Sequence, residues 1–515
     1  MNTNRLILIV MTCLICLASS TAFASPPQAV APDFAAIDAY IEAQMKDIRL
    51  PGVAIGIIQG DQIVYLKGYG VADPSGRAVT AQTPFSLASL AKPVTALAVM
   101  QLVEAGDIEL DAPVQRYLPY FRLADEQVSA AITVRHLLNH TSGLSRVTGD
   151  EKFPSQASLD WTPEQRVREL SDNAATHPVG TTFEYSNVNY AILALIVETV
   201  SGQSFESYVQ ENIFNPLEMS QSTYYQLDAI PPDNAVGYPH WFGFPVAKNI
   251  PFPRSSNGHG GLIASAEDMT HFMIAQLNEG RYGNVAVLSP AGIAEMHTPA
   301  AREGESESFY GMGWEVETVN GLTNITHNGD YGGFHADMLL TSDGWGIVMM
   351  TNANGIWAAG RPGGIRTGVI SLLRGQEPPP NEGVLFIRVL VLSIMSIVAL
   401  QIIGMVSSLV RLRQWFRNSQ PDRHPRGWLR VGWHVVVPLM VNLLLGLAVT
   451  VGIPAVLGAS LHGIMFVYPD FGYTMALSGV IAFVWIIRTV LAYFALRAGK
   501  QNGLISAQKS ALAHK

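Results

Sequence analysis

The rest of the chain is organised around residues 83–104, which read Thr83-Pro-Phe-Ser-Leu-Ala-Ser89-Leu-Ala-Lys92-Pro-Val-Thr-Ala-Leu-Ala-Val-Met-Gln-Leu-Val-Glu104. Its apolar residues recur with the spacing of one helix face, which predicts a helix that begins near Ser89, after a turn. Lys92 follows three residues later, so its amine can reach the Ser89 oxygen from the same face. A serine hydroxyl needs a neighbouring base to take its proton, and a lysine is such a base only when it is neutral.

The spacing alone is weak evidence, because a Ser-x-x-Lys match arises by chance about twice in a chain of this length. Ser506-Ala-Gln-Lys509 is such a match, in a polar C-terminal segment. Ser89 is favoured as the nucleophile, and Lys92 as its base, because Ser89 lies at a predicted helix start and partner motifs follow in order.

Residues 1–24 have the pattern of a secretory signal peptide: a positive start, a short apolar run and the small-x-small sequence Ala22-Phe23-Ala24. An uncleaved membrane anchor is the alternative. Both cysteines, Cys13 and Cys16, lie in this segment. We therefore expect the mature protein to have no disulfide, no thiol nucleophile and no cysteine metal site.

Charge is distributed unevenly along the chain. Residues 1–380 have a net charge of −18 and residues 381–515 one of +9, which together give the −9 of the whole sequence. An exported part this acidic argues against a nucleic-acid partner.

The segment pattern predicts an α+β domain over residues 25–375. Residues 52–59 and 62–71 flank a Gly60-Asp61 turn, which predicts a β-hairpin. The chain from Ser89 to about Met273 is predicted to be mainly helical. Strands return after about Ser308, with Asn320-Gly321 as a strong hairpin turn. A hairpin at the start and a meander at the end predict one antiparallel sheet built from both ends, with the helical insert beside it.

Residues 376–384 form a proline-rich linker, and a three-helix transmembrane domain is predicted over residues 385–497. Its apolar runs are each long enough to cross about 30 Å of hydrocarbon. They cover roughly 389–410, 435–457 and 474–496. Arg488 lies within the third run, and we favour a side chain that reaches the headgroups over a functional intramembrane charge.

Positive charge predicts the orientation of these spans. The loop after the first run holds six arginines between 411 and 430, whereas the loop 458–473 has no Lys or Arg. The positive-inside rule places the arginine-rich loop and the tail, residues 498–515, in the cytoplasm. We therefore expect a multi-pass protein of the bacterial inner membrane, with the domain before the spans on the periplasmic side.

Tyr185-Ser-Asn187 is the second motif with chemical potential, and it precedes an amphipathic helix pattern. A tyrosine phenol beside a lysine amine can relay a proton, and an asparagine amide can hold both that lysine and a substrate carbonyl.

The third motif is His327-Asn-Gly329, which ends a predicted strand and precedes Asp330. A glycine there lets a substrate backbone lie along the strand. The backbone N–H groups of Ser89 and Asp330 would then form an oxyanion hole.

Other matches are interpreted as unrelated to the site because of their contexts. Tyr282-Gly-Asn284 has no lysine-bearing helix nearby, His259-Gly-Gly261 precedes a capped helix, and Ser171-Asp-Asn173 ends a charged helix. His136 and His140 share a helix face but are assigned a structural role, because Leu137 replaces the glutamate of the zinc-protease pattern.

The motifs at Ser89, Tyr185 and His327 together resemble those of penicillin-recognising serine hydrolases, in the branch of class C β-lactamases, D-stereospecific peptidases and related esterases. The resemblance covers about residues 33–375 and implies a β-lactamase/transpeptidase-like fold. It also implies an acyl-enzyme mechanism, in which Ser89 attacks and Lys92 and Tyr185 move protons. The residues that it assigns to substrate positioning are Asn187, His327, Gly329 and Asp330.

His327 departs from that family pattern, since β-lactamases of this branch have lysine there. We expect His327 to discriminate between substrates by their charge, because its imidazole is neutral at higher pH and cationic at lower pH. The arrangement of signal, hydrolase domain and three spans also resembles the membrane peptidases that remove acylated D-amino-acid caps from nonribosomal peptide prodrugs.

The sequence thus predicts a membrane-anchored serine hydrolase, most simply a peptidase or amidase that acts on substrates containing D-amino acids or resembling peptidoglycan. An esterase and a β-lactamase are alternatives, and a non-catalytic penicillin-binding sensor is one of a different class. The expected partners are a small peptide, amide or ester substrate and the lipid bilayer. No metal or nucleotide cofactor is predicted, because neither a ligand cluster nor a phosphate-binding glycine loop is present.

Overall fold

The computed structural model describes residues 32–148, 161–225, 231–249, 252–355, 361–380, 382–417, 437–456 and 460–513. The predicted signal peptide lies outside these residues. The helices are α1 Phe34–Ile48, α2 Ala91–Glu104, α3 Glu126–Ala131, α4 Val134–Leu138, α5 Pro163–Arg168, α6 Asn187–Ser201, α7 Phe205–Val209, α8 Ala266–Leu277, α9 Pro290–His297, α10 Arg361–Leu373, α11 Glu382–Arg417, α12 Val437–Leu447, α13 Ile453–Val456, α14 Leu461–Val467 and α15 Pro469–Ala513.

The strands fall at both ends of the hydrolase domain, with short ones between. They are β1 Gly52–Gln59, β2 Gln62–Gly70, β3 Phe85–Ala88, β4 Thr223–Tyr224, β5 Tyr238–Trp241, β6 Phe244–Pro245, β7 Leu262–Ala264, β8 Arg281–Tyr282, β9 Val285–Ala286, β10 Ala301–Arg302, β11 Phe309–Tyr310, β12 Glu315–Val319, β13 Leu322–Tyr331, β14 Phe334–Thr341, β15 Trp345–Thr351 and β16 Ala353–Asn354. Short 3-10 turns cover Val114–Arg116, Glu169–Asp172 and Arg254–Ser256, and π-helical turns cover Gln210–Phe214 and Ala448–Gly452.

The main sheet has eight strands in the order β10-β11-β12-β13-β14-β15-β1-β2. Strand β1 pairs antiparallel with both β2 and β15, with Val53 opposite Thr351. The N-terminal hairpin and the C-terminal meander therefore form one sheet, which confirms the predicted α+β class.

Helices cover both faces of this sheet. Helix α8 lies against β1 so closely that a Cβ on Gly56 would come 2.4 Å from Thr270 Cγ2. On the opposite face α1 and α10 pack around a buried cluster that includes Ile57, Ile347 and Val369. Burial on both faces explains why β1 is almost continuously apolar.

Local signals predicted several element ends correctly. Asn320 and Gly321 have φ of 52° and 80°, the left-handed pair that a tight two-residue hairpin requires. Thr133 caps α4 by accepting from the His136 backbone N–H.

The prediction of a turn before Ser89 and of a mainly helical insert was incomplete. Strand β3 leads directly into Ser89 and pairs with β7, which in turn pairs with β4. These strands are two to four residues long and mostly buried, so they show no alternation that a sequence pattern could reveal.

Three C-terminal helices are long and apolar enough to cross a membrane, over Arg388–Ser407, Leu439–Val456 and Pro469–Leu491. Helix α11 already starts inside the predicted linker, and α15 continues through most of the predicted tail. The arginine-rich loop after residue 417 lies outside the described residues.

Contacts join the apolar helices to each other and to the hydrolase domain. Ser478 of α15 donates a hydrogen bond to Gln401 of α11 at 2.8 Å. Asp470, near the start of α15, accepts one from the Phe242 backbone N–H at 2.8 Å. Arg488 lies 5.6 Å from the centre of the Trp485 ring.

Candidate active site

Ser89 lies between the end of β3 and the start of α2. The preceding residue, Ala88, has a φ of 48°, a left-handed conformation that costs a residue with a Cβ on the order of 1–3 kcal/mol. This bend turns the chain from the strand into the helix and leaves Ser89 half-buried. The Lys92 N–H then donates to Ser89 O at 3.0 Å, which closes the first turn.

Lys92 is fully buried beside the Ser89 side chain. Its Nζ lies 2.9 Å from Ser89 Oγ, 3.0 Å from Asn187 Oδ1 and 3.0 Å from the backbone oxygen of His259. A neutral amine has two N–H groups and one lone pair. The two carbonyl oxygens suit the two N–H groups and leave the lone pair facing Ser89 Oγ, so this geometry suits a general base.

Tyr185 approaches Ser89 from the other side. Its hydroxyl donates a hydrogen bond to Ser89 Oγ at 3.0 Å, and its ring centre lies 4.7 Å from Lys92 Nζ. Asn187 is the first residue of α6, so a single short motif delivers both side chains. Between them, the buried Ser186 donates to Ser145 O at 2.9 Å and fixes the segment.

His140 supports this segment from beneath. Its Nδ1 faces the Ser186 backbone N–H at 3.2 Å and the Asn189 side-chain amide at 3.0 Å. Two donors at Nδ1 require an unprotonated nitrogen there, and burial, followed by the charge of Lys92, lowers the pKa of His140. The centre of the His140 ring lies 4.6 Å from that of the Tyr185 ring. His140 therefore supports the Tyr185 segment as a neutral hydrogen-bond acceptor.

Strand β13 meets the backbone of Ser89 at Gly329. A Cβ there would lie 2.2 Å from Leu87 O and 2.7 Å from Ser89 N, so only glycine fits without a backbone shift. The contact brings the backbone at Asp330 next to that of Ser89. The Asp330 carboxylate is engaged elsewhere, at 2.7 Å from His335 Nδ1 and 2.6 Å from Asn354 Nδ2.

His327 lies near Tyr185, with 6.4 Å between the ring centres, but its ring is only 2% exposed. Its Nε2 is 3.1 Å from the Tyr310 hydroxyl. Burial, followed by the charge of Lys92, lowers the pKa of His327 to about 3. The expectation that His327 gains a charge at mildly acidic pH was therefore wrong, because the sequence does not reveal how deeply the ring is buried.

The structure brings further groups to the site that sequence reasoning missed. His259, whose sequence context predicts no role in the site, supplies a carbonyl oxygen to Lys92. Arg146, exposed at the mouth, has its guanidinium 5.4 Å from the Tyr185 ring centre. A backbone carbonyl and a side chain remote in sequence leave no local motif.

The site has no obvious metal-binding cluster. Within the described ranges, no group of three or more His, Cys, Asp or Glu side chains is placed to hold a metal ion. His136 instead lies in α4, where its Nδ1 accepts from the Thr133 backbone N–H at 3.2 Å.

Comparison with known proteins identifies the family. The Beta-lactamase family model matches residues 37–361, so the chain belongs to the beta-lactamase family of serine hydrolases. Penicillin-binding protein 4 of Amycolatopsis lactamdurans is 30% identical over 322 residues, which are 61% of this chain and 83% of that relative. Protein flp of Staphylococcus aureus is 27% identical over 323 residues, 62% of this chain and 63% of the relative. The match thus spans just under two thirds of protein flp.

A solved structure shows the same fold. The octameric penicillin-binding protein homologue from Pyrococcus abyssi aligns with a TM-score of 0.59 and 27% identity, and the alignment covers 67% of this chain and 78% of that one. The predicted resemblance to penicillin-recognising hydrolases and their β-lactamase/transpeptidase-like fold is confirmed.

The neutral state of His327 predicts a pH-dependent loss of stability. The unfolded residue takes up a proton near pH 6.5 but the folded one only near pH 3, so wild-type stability falls as pH falls through this window. The His327→Gln variant lacks this titratable group. The stability advantage of wild type over His327→Gln should shrink by about 2–3 kcal/mol between pH 7 and 4.5, measured by urea unfolding of the full chain in detergent.

Gln203→Ala provides the control, since it changes an exposed residue with no titratable group and should show the same difference from wild type at both pH values. A difference in the free energy of unfolding between wild type and His327→Gln that does not change with pH would contradict the neutral state of the buried ring.

Proposed function

We propose that this protein is a membrane-anchored serine hydrolase that acts through an acyl-enzyme on Ser89 and prefers amide bonds. The observation that carries the proposal is the triangle of Ser89 Oγ, Lys92 Nζ and Tyr185 Oη, in which both proton-handling groups lie within 3.0 Å of the nucleophile. Hydrogen-bond distances of this kind are what proton transfer requires.

In the acylation step, the Ser89 proton passes to the Lys92 lone pair as Ser89 Oγ attacks the substrate carbonyl carbon. The carbonyl π electrons move to the oxygen, and the backbone N–H groups of Ser89 and Asp330 stabilise the resulting oxyanion. The close contact at Gly329 supports this role, because it holds the two backbone segments side by side. Such a donor typically contributes about 3–4 kcal/mol to transition-state stabilisation.

The leaving nitrogen needs a proton before the C–N bond breaks. Tyr185 can donate its phenolic proton to that nitrogen and recover one from Lys92, since its ring lies beside both groups. In deacylation, water gives a proton to the same relay and attacks the ester carbonyl, which releases the acid and restores Ser89. An ester has a much better leaving group, so a complete relay favours an amide substrate.

The substrate is proposed to be a peptide or amide with D-amino acids or with a likeness to peptidoglycan, as the family and the penicillin-binding relatives suggest. A β-lactamase is less favoured, since the buried neutral His327 replaces a fixed cation. Arg146 supplies positive charge at the mouth instead, on the side of Tyr185. Asn187 lies where its amide can contact both a substrate carbonyl and Lys92.

Loss of the nucleophile tests the acyl-enzyme. Ser89→Ala should abolish labelling by a fluorophosphonate probe, because the attacking oxygen is removed, whereas Ser506→Ala should label like wild type. Labelling is measured by intact mass of the purified full chain. Undiminished labelling of Ser89→Ala would refute the assignment, and labelling of wild type without turnover of any amide, ester or β-lactam would favour the penicillin-binding sensor.

Removal of the phenol separates amide from ester chemistry. Tyr185→Phe should lower kcat/KM for an N-acyl-D-amino-acid amide by about 10³-fold and that for the matched ester by only about tenfold, because the ester oxygen needs less protonation on leaving. Steady-state kinetics on the pair measure this difference. Tyr282→Phe, at the second Tyr-x-Asn sequence, is the control and should leave both values unchanged. An equal loss for both substrates would count against the peptidase proposal.

We further propose that the three apolar helices hold the protein in the bacterial inner membrane with the hydrolase domain on the periplasmic side. Their length and hydropathy support the spans, and the arginine distribution supports the orientation. The basic segment after the first span and the C-terminal tail would face the cytoplasm.

Cysteine accessibility tests this orientation. In a chain without Cys13 and Cys16, a cysteine at Ser460 should react in intact spheroplasts with a membrane-impermeant maleimide, because it lies between the second and third spans. A cysteine at Ser419 should react only after permeabilisation. The opposite pattern would mean that the spans are inverted.

A further inference from the structure

The hairpin formed by β5 and β6 has an unusual residue at its turn. Trp241 pairs with Phe244, and the two residues between them, Phe242 and Gly243, have φ of 51° and 81°. This tight turn normally takes Asn-Gly, because few side chains tolerate the left-handed conformation. The same chain uses Asn320-Gly321 for the same conformation in its other hairpin. A phenylalanine in that position is locally unfavourable.

The side chains of this tip are also unusually exposed. Phe242 is 47%, Phe244 60% and Val246 45% accessible to solvent. An exposed apolar cluster of this kind marks an interaction surface. We call residues 242–246 the hairpin tip.

The hairpin tip lies beside the first turn of the third candidate span. The Phe242 N–H donates to Asp470 Oδ2 at 2.8 Å, and Asp470 is only 2% exposed. Trp241 stacks on Tyr473 with 5.9 Å between ring centres and 17° between the ring planes. Tryptophan and tyrosine concentrate where spans enter the headgroup region, so the tip is held at that level.

A cation accompanies the aromatic side chains. Arg49 Nη1 donates to Gly243 O at 3.0 Å, and its guanidinium lies 4.3 Å from the centre of the Phe244 ring. The arginine is exposed, so it can meet a lipid phosphate while the neighbouring rings contact the acyl chains.

We propose that the hairpin tip inserts into the bilayer leaflet next to α15 and forms a second, non-spanning anchor of the hydrolase domain. The inference rests on the proposed membrane insertion of the three apolar helices and adds a lipid-contact site within the hydrolase domain. The occupant is the lipid surface, because the tip continues an apolar surface that begins on α15. With the tip inserted, the hydrolase domain cannot rotate freely about the linker.

Site-directed spin labelling of the full chain in phosphatidylcholine–phosphatidylglycerol vesicles tests the proposal. Cys13 and Cys16 are first replaced by serine, and a nitroxide is attached at Phe244→Cys. The ratio of its accessibility to oxygen over that to nickel ethylenediaminediacetate rises with depth in lipid. We expect this ratio to be at least tenfold higher than at Val319→Cys, an exposed valine beside the Asn320-Gly321 turn.

Equal ratios at the two hairpins would overturn the proposal. A label that is shielded from both reagents would also overturn it, since a protein partner would then cover the tip. Val246→Cys provides a second label site, and the far-ultraviolet circular dichroism spectrum reports that each variant is folded.

A label at Val480→Cys, exposed in the middle of the third candidate span, separates this inference from the membrane proposal. If the label at position 480 is exposed to lipid but the label at position 244 is exposed to water, only the hairpin anchor is refuted. If the label at position 480 is exposed to water, the proposed membrane spans are refuted as well. The readout is independent of turnover, so a failure of the hydrolase proposal leaves it intact.

A change at the turn itself gives a second measurement. Phe242→Asn restores the usual Asn-Gly turn and removes one of the two rings. With the label at Val246→Cys, which leaves Phe244 in place, it should raise accessibility to the nickel complex several-fold, because the tip becomes shallower. No change would show that Phe242 does not anchor the tip and would count against the proposal.

Discussion

The site depends on the burial of one amine between carbonyl oxygens. The side chain of Lys92 is completely buried. Its hydrogen bonds to Asn187 and to the His259 carbonyl replace those that it would make to water. These partners come from separate parts of the chain, the start of α6 and the segment before β7. An unpartnered buried amine would cost several kcal/mol, so the three parts must be correctly packed before Lys92 can lie beside Ser89. Folding and the assembly of the site are therefore one event.

Close backbone packing complements this buried amine. The bend at Ala88 and the absence of a side chain at Gly329 let one face of β13 approach the backbone of Ser89 closely. His140 then fixes the Tyr185 segment as a neutral hydrogen-bond acceptor. The rigid sheet thus supplies one wall of the site and the helical insert supplies the other, an arrangement that keeps reacting groups at hydrogen-bond distance.

What the sequence predicted depended on how local its physical cause was. The spacing of Ser89 and Lys92, the Asn320-Gly321 turn and the apolar helices follow from periodicity and turn chemistry, which a few neighbouring residues determine. Strand β3 and the neutral state of His327 could not be predicted in this way. Their cause is burial by distant segments, and no spacing rule encodes such contacts.

The pairing of β1 with β15 has a consequence for biogenesis. Val53 finds its partner Thr351 only after most of the domain has been synthesised, so the central sheet has high contact order and closes late. A chain exported from its N-terminus would cross the membrane before that sheet could form, so it would remain unfolded during export. The first apolar helix starts soon after β16 and α10, so membrane insertion and closure of the sheet would occur almost together. In the proposed topology, the order of the elements along the chain would delay closure of the sheet until the domain had crossed the membrane.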